Sequence, residues 1–415
     1  MEIRPNKGLM TALLVGAAIV PVAISACQIF LYPVVLVFML ALFRMPRSEV
    51  PRSPMIWGLL LYMVGCIVAN VVGINPVRSF EKMHRFFVFV LVFAVPWVAS
   101  YRSAPGRATV RAIVLSLIAG CAVLAVVDGF RVPMEMAEGV QMWDTGNMRD
   151  PQFYMVGLIL LLSLRLSNQW PWSKKVFVVV LLLLAFGLLI HNKQGSWIST
   201  MASLTLLFIL FGRLRAIAVM ALCVVLVFGS LEGAHRFGWI PADMSPVQRV
   251  LDLSKEDDAG RGGRKALWTK VAPQLMEDYP WGVGYSGTTF GLFRQYSVDV
   301  QPGLNHLHNN GIQVRAEAGW IGLAGWLLWM GSAAVLILRL LWRRGAHHPW
   351  IKGVGVALLA LWMNGFVEYN FGDTEILFLY ALLLGCLNTL AADHRKADSP
   401  DAHDGSQTTP TDLPA

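Results

Sequence analysis

The chain has 415 residues, 56% of them hydrophobic and 14% charged, with a mean hydropathy of +0.55. Soluble domains carry about a quarter charged residues, so an ordinary soluble enzyme is excluded and an integral membrane protein is expected. The formal net charge of +8 sits largely in short connections between apolar runs, where it sets orientation and does not argue for nucleic acid.

Taken in chain order, apolar runs occupy residues 9–24, 27–44, 55–74, 86–100, 109–130, 152–168, 174–191, 197–212, 214–231, 319–341, 349–367 and 376–391. Each is close to the roughly 20 residues a helix needs to cross about 30 Å of hydrocarbon, so the expected fold is all-α and polytopic, with about twelve transmembrane helices. The first run reaches helix length without a convincing cleavage site and is expected to stay as the first helix. Cys27, Cys66, Cys121, Cys223 and Cys386 fall in or beside these runs as small apolar groups. Their spacing suggests no disulfide or metal framework.

Lys and Arg crowd alternate connections, among them Arg44, Arg102, Lys174, Lys175, Arg213, Arg215, Arg343 and Arg344. The short connections on the other side hold only Arg78, Lys82, Arg85, Arg131, Arg149 and Lys193. Positive charge marks the cytoplasmic side, which puts both termini inside. The chain then divides into nine spans over 1–231, a long outer segment over 232–318, three spans over 319–391, and a tail over 392–415. The tail is rich in Asp, Ser, Thr and Pro and is expected to be disordered. A second outer segment, 131–151, carries Met and Trp suited to a lipid surface. No P-loop or dinucleotide fingerprint is present.

The long outer segment holds the polar residues that hydrocarbon would penalise. Its apolar patches (Trp281, Tyr285, Phe290, Phe293) suggest a few helices packed on the membrane core. In "DDAGRGGRKALW" (257–268) glycines precede a helix beginning near Arg264, so that Arg261 and Arg264 sit at a positive helix end suited to phosphate or diphosphate. In "HLHNNGIQVRAEAG" (306–319) His308 and Asn309 precede a helix running into the tenth span. An imidazole there is a candidate general base for a hydroxyl nucleophile. Each feature also has a structural reading: an arginine pair as a headgroup anchor, "YPWGVGYSG" (279–287) as a turn, His191 to Lys193 as an interfacial cap. Lys82, His84 and Arg85 put positive charge on a short outer connection, against the inside bias, which favours a function for them.

These motifs resemble the bacterial O-antigen ligase and polymerase superfamily. His308-Asn309, nine residues and Gly319 match its histidine motif, and Arg264, Trp268 and "YPWGVGYSG" follow its upstream order. The sequence departs from the family at "HNKQGSWIS", where Gln194 stands at a position expected to be arginine and Lys193 is the neighbouring cation.

The resemblance implies a GT-C-like glycosyltransferase of the bacterial inner membrane with its site on the periplasmic face. It would transfer O-antigen from undecaprenyl diphosphate to lipid A-core, without a cofactor. It further implies His308 as base, Arg264, Arg261, Lys193, Lys82 and Arg85 as diphosphate ligands, and Asn309 and Gln194 as supporting or acceptor-binding groups. Paired carboxylates of metal-dependent polyprenyl transferases are not evident. Asp373 and Glu375 are the nearest candidates, so no metal is expected. The competing readings are an O-antigen polymerase, a protein O-oligosaccharyltransferase and, in another class, a transporter or flippase. The last would carry ionisable groups near mid-membrane, where Asp128 is the nearest candidate.

Overall fold

The computed structural model describes residues 4–46, 50–51, 53–100, 106–138, 149–191, 193–238, 245, 264–298, 300, 303–342 and 348–397. Among these residues the chain is helical with no strand, an all-α polytopic membrane protein. The helices are α1 (Lys7–Ile19), α2 (Ile24–Leu42), α3 (Met55–Val72), α4 (Pro76–Lys82), α5 (Leu91–Ala99), α6 (Gly106–Ala137), α7 (Asp150–Leu166), α8 (Lys174–Ile190), α9 (Gln194–Leu210) and α10 (Leu214–Arg236). After the outer segment's own helices come α13 (Asn310–Trp342), α14 (His348–Asn364) and α15 (Thr374–Ala397). In the outer segment α11 begins at Arg264–Ala266, passes through a π-helical turn at Leu267–Val271 and ends in Ala272–Asp278, and α12 is Phe290–Phe293.

Every apolar run overlaps one of these helices, and seven helices among the described residues are long and apolar enough to cross a membrane. The helix α10 buries none of its residues against the protein, which suits a helix whose surroundings are lipid. By contrast α15 is almost wholly enclosed by its neighbours. Close helix contact rests on small residues, as expected where lipid leaves no hydrophobic drive between helices. A Cβ on Gly65 would lie 2.2 Å from the backbone of Gly322, and one on Gly58 would lie 2.3 Å from that of Trp329, so α3 and α13 meet backbone to backbone.

Several expected boundaries differ. The fourth run is preceded by α4 and a 3₁₀ stretch, Met83–Val90, because Pro76 starts a helix before the apolar residues begin. The helix α6 extends to Ala137, well into the expected outer segment, and α15 extends to Ala397, past the expected start of the tail. The rest of the tail and residues 139–148 lie outside the described residues.

The long outer segment begins after Arg236, and its last residues are already the start of α13. That helix is not continuous into the membrane. Gly319 has φ 66° and ψ −165°, so the helix breaks there and resumes. A break frees the carbonyls of the preceding turn, and the Gly-x-Gly turn supplies their donors: Val283 N bonds Ala316 O at 2.9 Å and Gly284 N bonds Glu317 O at 3.1 Å. A Cβ on Gly319 would lie 2.5 Å from the Trp281 carbonyl. Below this joint a small core of Leu267, Val271, Leu275, Val283, Phe293, Leu307 and Ala316 holds the segment together.

Candidate active site

The start of α13 and the turn between α14 and α15, residues 365–373, form the candidate site. Asn309 caps α13: its Oδ1 accepts Ile312 N at 2.9 Å. Its Nδ2 donates to Phe366 O at 2.9 Å. Asn310 N donates to Gly365 O at 2.7 Å, the Asn310 Nδ2 donates to Asn370 Oδ1 at 2.6 Å, and the Asn370 backbone N donates to Asn310 Oδ1 at 3.0 Å. The Asn309 amide thus caps the helix through its oxygen and ties the helix start to the turn through its nitrogen.

His308 sits just before this cap with φ 50°, a left-handed backbone uncommon outside glycine. Its neighbour holds it there. Leu307 N is bonded by Gln313 Oε1 at 2.7 Å, and Leu307 O accepts Trp268 Nε1 at 2.6 Å. Trp268 lies four residues after Arg264, on the same side of α11, so anchoring the indole to the histidine turn also brings Arg264 to it. The arginine, the tryptophan and the histidine turn are thereby held together in space.

The partner His308 and Arg264 share is Glu368. Its Oε1 accepts His308 Nδ1 at 3.0 Å and Tyr369 N at 3.2 Å, and its Oε2 lies 3.6 Å from Arg264 Nη2. The Glu368 side chain is 12% exposed against 44% for Arg264. Burial works against its charge, but His308, His306 and Arg264 outweigh it and hold the carboxyl below the usual range. The His308–Glu368 contact requires the imidazole proton on Nδ1, leaving Nε2 as the nitrogen that accepts.

His306 stacks edge-on to His308, centroids 4.2 Å apart. Its Nδ1 is buried without a hydrogen-bond partner. Desolvation, then the neighbouring His308, push its pKa down to about 4. Behind it Glu317, 3% exposed, accepts Gln313 Nε2 at 2.7 Å and Tyr369 OH at 3.2 Å.

The expected cations fall as follows. Arg264 joins His308 through Glu368. Arg85 Nη1 donates to Gly372 O at 2.9 Å, at the far end of the same turn. Lys193 and Gln194 open α9, and a Cβ on Gly195, next in sequence, would lie 2.8 Å from Val367 Cγ2, so that helix start rests beside Glu368. Lys82 closes the last turn of α4, and no described contact ties its ammonium to the turn. Arg261 lies outside the described residues.

Sequence reasoning missed Glu368, which stands in "NGFVEYNFGDTE", a connection short enough to pass for a loop. The one signal was its density of polar residues between two spans. Asp373 in that connection is pushed up to about 6 by burial, with Arg149 and Arg85 opposing. It also missed a second network. Asp128, 0% exposed, accepts Tyr154 OH at 2.5 Å and lies 2.6 Å from both His191 Nε2 and Arg131 Nη2. Arg131 bridges on to Asp150, and Arg149 pairs with Glu375. His191 is the C-cap residue of α8 and also a buried partner of Asp128.

No curated protein matches the chain. Residues 179–327 match the family model described as O-antigen ligase. That span contains Arg264, Trp268, His308 and Gly319, and it ends before the turn that carries Glu368. Over this segment the chain is similar to the O-antigen ligase family.

Proposed function

We propose that the protein is an O-antigen ligase of the bacterial inner membrane. It transfers glycan from undecaprenyl diphosphate to a sugar hydroxyl of lipid A-core on the periplasmic face, with both termini in the cytoplasm. The observation that carries the reading is the 3.0 Å contact of His308 Nδ1 with Glu368 Oε1, beside Arg264, in a segment of the ligase family. A carboxylate on Nδ1 fixes the tautomer and stabilises the imidazolium, so Nε2 acts as general base.

The acceptor oxygen attacks the anomeric carbon, the bond from that carbon to the diphosphate oxygen breaks, and the acceptor's proton passes to Nε2. Diphosphate is already a good leaving group, and guanidinium groups neutralise its charge as it departs. Arg264 is the first candidate, since its guanidinium is partly exposed and only 3.6 Å from its carboxylate partner. Arg261, Arg85, Lys193 and Lys82 are the further cations, and Gln194 a supporting group. No step in this scheme is routed through a cofactor or metal.

The test is transfer of purified lipid-linked O-antigen to lipid A-core in detergent. Wild type labels the acceptor, and His308→Ala and Arg264→Ala lose the activity. Full activity in His308→Ala overturns the mechanism. Extension of the donor without labelling of lipid A-core moves the assignment to the polymerase.

A further inference from the structure

The same turn carries a feature that general-base catalysis does not require. His306, His308 and Glu368 each offer a ligand atom, and these atoms lie within 4.8 Å of one another. Ligand atoms around a tetrahedral zinc ion with bonds near 2.1 Å stand about 3.4 Å apart. Side-chain rotation of the imidazoles can supply that difference. Two imidazoles and one carboxylate form a borderline-soft set that selects Zn²⁺ or Co²⁺ over Mg²⁺, and three protein ligands leave a fourth position open.

A second observation points the same way. The Nδ1 of His306 is buried and has no hydrogen-bond partner, and a buried polar atom left unpaired is costly. Glu368 has the geometry for a supported ligand: Oε1 faces the histidines while Oε2 faces Arg264 at 3.6 Å. Coordination through Oε1 therefore leaves the arginine contact in place as an outer-shell partner.

We infer that His306, His308 and Glu368 bind a Zn²⁺ ion and that this ion inhibits the enzyme. The inhibition rests on the proposed role of His308; the binding does not. The ion takes the place of the proton on His308 Nδ1, and the neutral ring carries its one proton on Nε2 instead, a change of tautomer with no net release. Metal on Nδ1 leaves the remaining proton on Nε2, so the ring becomes a donor there and no longer accepts the proton of an acceptor hydroxyl. It also removes the Glu368 contact from the imidazole.

The experiment uses the full chain, purified in detergent and stripped of metal. Co²⁺ is titrated first and read by its visible ligand-field absorption, then displaced with Zn²⁺. Wild type is expected to give intense tetrahedral bands at one equivalent, with Mg²⁺ failing to compete. His306→Gln and Glu368→Gln are expected to weaken binding at least tenfold. In the transfer assay Zn²⁺ slows wild type and a chelator restores it, while the ratio of rates without and with Zn²⁺ falls toward one in His306→Gln. Absence of tetrahedral bands in wild type, or undiminished affinity in both variants, overturns the site. Zn²⁺ bound through these residues with no slowing of an active enzyme overturns the inhibition. Bands with no glycan transfer support the site and overturn the reading of the reaction instead.

Discussion

Replacing Glu368 with glutamine keeps the shape of the side chain and removes its charge. The carboxylate accepts His308 Nδ1 at 3.0 Å and lies 3.6 Å from Arg264 in a largely buried position. A hydrogen bond to a charged group is worth about 1.5–3 kcal/mol. The glutamine oxygen can still accept the Nδ1 proton, so the tautomer survives, but the imidazolium formed in the transition state loses its counter-charge. That loss is expressed in the transition state and not in donor binding, so kcat should fall about 10- to 150-fold. KM for the lipid-linked donor should change less than about threefold, because uniform binding is untouched. Glu368→Ala should lose more, since it leaves both His308 Nδ1 and Tyr369 N without their acceptor. The assay is steady-state transfer to lipid A-core, with thermal unfolding in the same detergent to show that the variants remain folded. Wild-type kcat in a folded Glu368→Gln would refute the assignment of Glu368 as the counter-charge to the His308 imidazolium.

Gly319→Ala places a non-glycine residue at φ 66°, ψ −165° and a methyl 2.5 Å from the Trp281 carbonyl. Strain and overpacking of about 1–3 kcal/mol each should lower the unfolding temperature by many degrees, and an unchanged melting curve would contradict the helix break. Arg149→Ala removes the cation paired with buried Glu375, while Asp150 keeps Arg131, and should cost about 3–5 kcal/mol, measured by thermal unfolding. His306 and Asp373 are expected to oppose each other on acidification. His306, held down to about 4 from 6.5, costs the fold stability as pH falls from 6.5 to 4, by about 3 kcal/mol. Asp373, raised to about 6 from 3.8, contributes stability that is complete below 3.8 and lost as pH rises through 6, again about 3 kcal/mol. Wild-type stability should thus change little from these groups between pH 4 and 6.5. Asp373→Asn should become acid-labile in that window and His306→Gln acid-stabilised, read as melting temperature against pH.

The sequence by itself determined the membrane class and the helical segments, and its resemblance to a family picked out His308, Arg264 and Gly319 as one motif. Hydrophobic length is a local property, readable in windows of about 20 residues, and the motif lies within a single stretch of chain. What only the tertiary structure decided is how those residues meet. Glu368 is 60 positions from His308, and its connection reads as an ordinary turn until α13 and α14 pack and Asn310 bonds Asn370 across them. The ion-pair network of Asp128, Arg131, Asp150 and His191 was hidden for the same reason. Its members come from the ends of three helices, and each alone is an unremarkable charge near a membrane boundary. Gly319 was recognised by position, but its reason, a helix break capped by the turn at Val283 and Gly284, is a contact between segments more than thirty residues apart. Pairing of buried polar groups is set by where helices cross, and helix crossing is decided by close packing over the whole molecule rather than by any local run of residues.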